Sequence, residues 1–377
     1  MQSDSELFDE AVNSVGLGGR LPDGARLRLI PTFSEYKAFA EQRIEGFRSG
    51  GKTLKPFPRV LVDYMDSPEV GAWAFPYKSI YVIALNYGTV LILHSLSNRL
   101  LCSRELLPEI GNVASETDNL PLFPLTSDFK EFSACMLSLG LSPEDIIPKD
   151  PDRKTIADFI AFISIYFLMG HEFRHIQAGH VDYAKNRFKL NYISETPLPS
   201  PNLDVNMKRQ AMEWDADKFS AQAIVAGIWI NRSIVLRYPE SLNPVFANHK
   251  LTFLLCLIAF TLLFRLFDDD KPQPPEWKSR THPPSRNRRI MLITDASILM
   301  GVMGQHILNE SEVNHIVAQS ATIIDMLLPV VGFSAFDRDY SMLVTKEGLR
   351  HLQEIVTTWG AIYSDLQKHS YTQLFPL

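Results

Sequence analysis

Phe159-Ile-Ala-Phe-Ile-Ser-Ile-Tyr-Phe-Leu-Met169, followed by Gly170 and His171-Glu-Phe-Arg-His175, is the stretch from which the rest of the chain is read. The apolar run predicts a helix, and H-E-x-x-H lies at its end. Residues four apart on a helix lie about 40° from each other, so both imidazoles reach one metal ion. Glu172, beside the first histidine, is then placed to take a proton from a water activated by that ion. The five-residue pattern arises often by chance, and a third ligand at sensible spacing is what gives it meaning.

Glu213 is that candidate. A Pro/Asn-rich loop, Thr196 to Asn206, leads into a second helical stretch, Met207 to Ser220, in which Glu213 and Asp217 are four apart and share a face. Glu213 supplies the carboxylate of a His2Glu zinc site with its fourth position open. Asp217, one turn on, is placed to accept the free N–H of a ligating imidazole, fixing its tautomer. His180 is the rival ligand, but it follows His171 by nine residues, about half a turn out of phase on a continuous helix. The metzincin pattern would need glycine at 178 and histidine at 181, where this chain has Ala178 and Val181. Gly179 is expected to cap the helix, leaving His180 as a capping or outer-sphere residue.

With these residues in hand, Gly170 to His180 together with Glu213-Trp-Asp-Ala-Asp217 resembles the gluzincin metallopeptidases, whose signature is H-E-x-x-H followed by E-x-x-x-D. Two further segments are similar to the branch of HtpX-type and prenyl-protein peptidases. Ala72-Trp-Ala-Phe-Pro-Tyr-Lys-Ser-Ile-Tyr-Val82 resembles the strand upstream of the metal helix, and Thr281-His-Pro-Pro-Ser-Arg-Asn-Arg288 resembles the T-H-P-P-x-x-x-R motif downstream. Gly71 stands where those relatives usually carry Asn, residues 100–155 form an apparent insertion, and the paired transmembrane helices of HtpX-type members are missing. Soluble bacterial relatives, such as the Lit-type phage-exclusion peptidases, are the nearer comparison. The resemblance implies endopeptidase activity on a protein or peptide.

Composition agrees with a soluble enzyme. The chain of 377 residues is 46% hydrophobic and 21% charged, with a net charge of -6 that argues against general nucleic-acid binding. The acidic start, Met1 to Glu10, lacks the apolar core of a signal peptide. Cys102, Cys135 and Cys256, odd in number and far apart, suggest reduced thiols in a cytoplasmic setting. Leu251 to Phe264 is the most hydrophobic stretch, but its 14 uncharged residues span only about 21 Å as a helix, short of a bilayer core of roughly 30 Å. A buried helix is expected there, and no membrane partner.

The expected organisation is an N-terminal lobe over 1–155, a zinc-binding helical core over 156–290 and a C-terminal helical region over 291–377. Residues 1–60 mix short helical and loop signals, 72–84 read as a strand or hairpin, and Tyr87 to Leu101 as a helix. Residues 108–155 read as a surface wrap of short helices. Further helices are expected at 156–178, 204–230, 247–267 and from 291 to 369. Pro76 and Lys78 interrupt the apolar pattern of the strand as edge strands often show. At such an edge Ala72, Trp73 and Ala74 would align an extended substrate by main-chain hydrogen bonds; the competing reading is a buried core strand.

Other residues carry two readings. His282, on a Pro-Pro turn, is either a catalytic donor to the developing oxyanion or a cap for the helix that follows. Arg174 is expected to pair with an acidic neighbour. Of Lys278, Arg280, Arg286, Arg288 and Arg289, one is expected to tie down the site's carboxylates and the others to be solvated. The sequence therefore reads as an α+β, mainly helical chain with a gluzincin-like core and a small sheet whose edge strand flanks the metal helix. His171, His175 and Glu213 would bind one zinc per chain, with Glu172 as general base and Asp217 behind them. The alternative is a catalytically silent fold of the same type acting as a binding or regulatory protein.

Overall fold

A computed structural model describes residues 3–24, 32–50, 53–116, 138, 146–194, 201–267, 274–302, 308–330 and 346–374. Cys135, residues 117–137 and 139–145 of the expected insertion, residues 196–200 of the loop and the acidic run at 268–270 lie outside them. The N-terminal part contains helices α1 (Asp4–Ser14) and α2 (Phe33–Ser49), strands β1 (Arg59–Met65), β2 (Ala72–Tyr77) and β3 (Ile80–Asn86), and helix α3 (Tyr87–Cys102). Helix α4 (Pro151–Gln177), helix α5 (His180–Phe188), the short strand β4 (Ile193–Ser194) and helix α6 (Leu203–Val225) follow. Beyond a π-turn at Ala226–Ile230 come α7 (Asn243–Ala247), α8 (His249–Leu266), α9 (Ser285–Val302), α10 (Glu310–Val330) and α11 (Lys346–His369). The chain is mainly helical with a four-stranded mixed sheet, the α+β class expected.

Helix α4 is the axis of the molecule. It starts five residues earlier than the apolar pattern indicates, because Asp150 accepts hydrogen bonds from the backbone N–H groups of Asp152 and Arg153 and Pro151 occupies the first turn. Arg153 is wholly buried there and spends all five guanidinium N–H donors on the carbonyls of Leu101, Ser103, Leu106, Leu107 and Ile110. The helix ends at Gln177, and Gly179 takes the left-handed conformation with φ of 75°. A Cβ at Gly179 would also lie 2.4 Å from the His369 carbonyl carbon, so two constraints select glycine. Around this axis pack α2, α3, α6, α8 and the faces of β2 and β3.

The α8 run Leu251 to Phe264 is a buried core helix, tied to α4 by the Ser164 hydroxyl donating to the Ala259 carbonyl at 2.9 Å. Helices α4 and α8 are long and apolar enough to cross a membrane, but in each 83% of the apolar window is buried within the protein.

The sheet order is β1-β3-β2-β4, with β1 parallel to β3 and β2 antiparallel to both of its neighbours. The 72–84 signal resolves as a β2–β3 hairpin whose turn holds Lys78 at φ 51°. One expectation is corrected: β2 is not the sheet's edge at Trp73 and Ala74. Ile193 and Ser194 of β4 pair with Ala74 and Trp73 on the side away from β3, a two-residue strand too short to be seen in the sequence pattern. The same hairpin explains Gly71. The Trp73 ring folds back so that a Cβ at 71 would stand 2.4 Å from it, leaving no room for an Asn.

His94 of α3 is buried against α2, where the Tyr36 hydroxyl lies 2.7 Å from Nε2. Desolvation pushes its pKa down to about 4, against an ordinary value of 6.5. Between these values the unfolded chain binds the proton and the folded one does not, so stability is full above pH 6.5 and is lost as pH falls toward 4. A 2.5-unit difference corresponds to about 3 kcal/mol. Urea titrations from pH 7 to 4 should show a loss of this order in the wild type and a smaller one in His94→Gln, which keeps an acceptor for Tyr36 without a titrating ring.

Candidate metal centre

Helices α4 and α6 cross so that His171, His175 and Glu213 meet, all three side chains buried. His171 Nε2 lies 2.9 Å from His175 Nε2 and 3.0 Å from Glu213 Oε2, and His175 Nε2 lies 3.5 Å from Glu213 Oε1. Zinc bonds of 2.0–2.1 Å to nitrogen in a tetrahedron set ligand atoms about 3.3 Å apart, which these three edges bracket.

The surrounding hydrogen bonds fix which ring nitrogens face the centre. His171 Nδ1 lies 2.9 Å from Asp217 Oδ1, and an ionised carboxylate only accepts, so the proton is on Nδ1 and Nε2 carries a lone pair. His175 Nδ1 lies 3.0 Å from Nδ1 of His180. Burial, then the neighbouring His175, push the His180 imidazole well below its usual pKa, so it is neutral. His180 Nε2 lies 3.5 Å from Asp215. With the His180 proton on that side, its Nδ1 accepts from His175 and leaves His175 Nε2 unprotonated too. Two lone pairs and a carboxylate then converge at contact distance in a dry interior, an arrangement that repels unless a cation sits among them.

The charges around the cluster agree. Arg288 donates from Nε and Nη2 to both oxygens of Asp217 at 2.7 Å each, while Arg174 pairs with Asp215 at 2.6 and 3.1 Å. Each of those carboxylates has its own guanidinium, whereas the groups within 3.5 Å of Glu213 are imidazoles of His171, His175 and His282, and Arg209 acts on it from further off. Burial would raise the Glu213 carboxyl, but positive charge beside it, on His282 first, holds it well below the ordinary carboxylate range. The residues present therefore fit a divalent cation.

Most expected residues come together here. Asp217 is behind His171 as its helical phase predicts, and Arg288 is the arginine that ties down the site's carboxylates. Arg174 does pair with an acid, and His180 lies behind His175, Nδ1 to Nδ1 at 3.0 Å. His282 reaches the centre, its Nε2 3.3 Å from Glu213 Oε2 and its Nδ1 3.0 Å from the Thr281 hydroxyl. Glu172 is wholly buried on α4 beside His171. Ala72, Trp73 and Ala74 are buried in β2, which packs on α4 and α5, and an extended peptide laid beside Trp73 and Ala74 would have to displace β4.

Two contributions escaped the sequence. Asp215, two residues from each of Glu213 and Asp217, points away from their shared face and serves Arg174 and His180 instead. The C-terminal helix also reaches the site: Trp359 of α11 meets the His180 ring edge-on at 6.0 Å. Beyond α11 the Tyr371 N–H donates to the Gln177 carbonyl at 2.9 Å, while the Gln177 side chain accepts from Arg174 at 2.8 Å.

Residues 141–298 match the family model Peptidase U49. This family match supports a peptidase acting on protein or peptide substrates. The matched stretch contains every member of the cluster, from His171 to Arg288. No curated protein and no solved structure matches the chain.

The three ligand positions and the neighbouring histidine separate in a metal assay. His171→Ala and Glu213→Ala should purify without metal, since each removes one of three donors. His180→Ala should keep a metal stoichiometry of about one with weaker affinity, by roughly 10–100-fold, as for loss of a hydrogen bond behind a ligand. Mass-spectrometric metal analysis with competition by a chelator reads both. Full retention by Glu213→Ala would remove it from the ligand set.

Proposed function

We propose that the chain is a zinc-dependent endopeptidase of gluzincin type, with one zinc ion held by His171, His175 and Glu213. The convergence of two unprotonated Nε2 atoms and a carboxylate at 2.9–3.5 Å carries this reading. When bound there, zinc supplies Lewis acidity, polarising a peptide carbonyl and lowering the pKa of a water molecule.

The remaining work falls to side chains. Glu172 takes the water's proton as general base and hands it to the departing amine. Asp217, gripped by Arg288, holds the His171 proton at Nδ1 and strengthens that ring as a donor. The Thr281 hydroxyl donates to His282 Nδ1, which leaves the His282 proton on Nε2. From there it faces the centre and donates to the oxyanion that forms on the substrate carbonyl. An intact Glu172 favours a catalytic over a silent site, because a purely structural metal has no use for that carboxylate.

The cluster's burial means that a peptide is admitted only by a movement of the surrounding segments, so generic casein is a poor probe. Glu172→Gln keeps the side chain's size but not its basicity, and zinc content should be unchanged while cleavage falls by at least about 100-fold. Comparing new protein N-termini in cells expressing wild type or Glu172→Gln both reveals the substrate and makes the test. Equal sets of N-termini would mean that another group acts as base.

The proposed location is the cytoplasm. Because the apolar faces of α4 and α8 are already covered by protein, the chain should stay in the supernatant after high-speed centrifugation without detergent. Release from membranes by detergent alone would overturn that.

A further inference from the structure

A second cavity lies behind the metal helix. It has a volume of about 210 Å³, and Met169, Gly170 and Phe173 form its α4 wall. By helical phase those residues are roughly opposite His171 and His175, so the cavity is separate from the metal centre. Phe47 of α2 and Phe219 and Ala223 of α6 line it further, and the lining is predominantly apolar.

Arg43 is the charged residue in that wall, where Asn231 is also polar. Its guanidinium carbon sits 5.5 Å from the Phe39 ring centroid and 5.9 Å from that of Tyr166, and Nη2 donates to the Ser233 hydroxyl at 3.2 Å. Its Nε is buried without a hydrogen-bond partner, and among the described residues no carboxylate pairs with it. Arg43 is half-buried, and its surroundings differ from those of three fully buried guanidiniums. Arg174 and Arg288 each grip an aspartate, and Arg153 has five carbonyls. A half-buried cation beside an apolar cavity is partly desolvated without a counter-charge, and a ligand that brings an anion offsets that cost.

We propose that this cavity binds a small amphipathic carboxylate, with its apolar body between Phe47, Phe173 and Phe219 and its carboxylate on Arg43. Guanidinium and carboxylate match as a planar, charge-assisted pair, and an apolar cavity with one oriented polar group is the usual form of a small-molecule site. The volume is below the roughly 300–1,000 Å³ of drug-sized sites, which suits a medium-length acyl chain or a single aromatic ring. The cavity floor includes Gly170, next in sequence to His171, so an occupant bears directly on the helix that carries both histidines.

Isothermal titration of the full chain with sodium octanoate, and in parallel with 1-octanol and octylamine, tests this. Octanoate should bind saturably at one site, at least about tenfold more tightly than octanol, with octylamine weakest. Arg43→Gln should lose that tenfold preference, since it removes the charge that pairs with the carboxylate, and Arg43→Lys should retain part of it. Ala223→Phe, which fills the cavity, should abolish binding of octanoate and octanol alike. Circular dichroism establishes folding, and if Ala223→Phe does not fold, the two Arg43 variants decide. Absence of saturable octanoate binding to the wild type, equal affinity for octanol, or undiminished preference in Arg43→Gln would each overturn the proposal.

Discussion

Everything near the centre depends on keeping two imidazole lone pairs and one carboxylate aimed at a single point in a dry interior. Left to themselves, those groups would separate or take up protons. They are held because each has a partner on its far side. Asp217 stands behind His171, with Arg288 behind Asp217, and His180 stands behind His175, with Asp215 and Arg174 beyond. These two chains of contacts also staple α4 to α6. The fold and the centre are thus one construction, and a change that loosens the outer arginines should be felt at the imidazoles.

Helical phase made much of this legible. The four-residue spacings 171/175 and 213/217 place donors on shared faces whatever the rest of the chain does, and the apolar run before His171 predicts a buried helix. The helix ends are set by chemistry that periodicity does not register: Asp150 and Pro151 extend α4 backward, and Gly179 turns it into α5. Sheet position was less accessible. Pro76 and Lys78 look like edge markers, yet Trp73 and Ala74 are paired on both sides, since a partner of two residues leaves no periodic trace. Asp215 was missed for a related reason: phase locates residues on one face, whereas α6 is buried on several sides and uses them all. The part played by Trp359 depends on a contact between residues far apart in sequence, which no local pattern encodes.

Several buried charges of this protein are paired by sign. Arg174, Arg288 and Arg153 sit beside carboxylates or carbonyls, and Asp215 and Asp217 beside guanidiniums. Against that background Glu213 and Arg43 are the informative residues, one a buried anion facing imidazoles and the other a cation facing an apolar void. They stand on opposite sides of α4, which separates two spaces of opposite electrostatic demand.

Arg153 bears on how the molecule comes apart. Its five N–H groups bind carbonyls spread from Leu101 to Ile110, so the end of α3 and the loop after it share one buried charge with the first turn of α4. Such a hub cannot open by degrees, because releasing any part of the loop strands a cation in the interior. Residues 101–110 contain little regular structure and would ordinarily exchange their amide hydrogens early. Here they belong to the same cooperative unit as the core of α4, and their exchange should follow opening of that helix rather than local fraying.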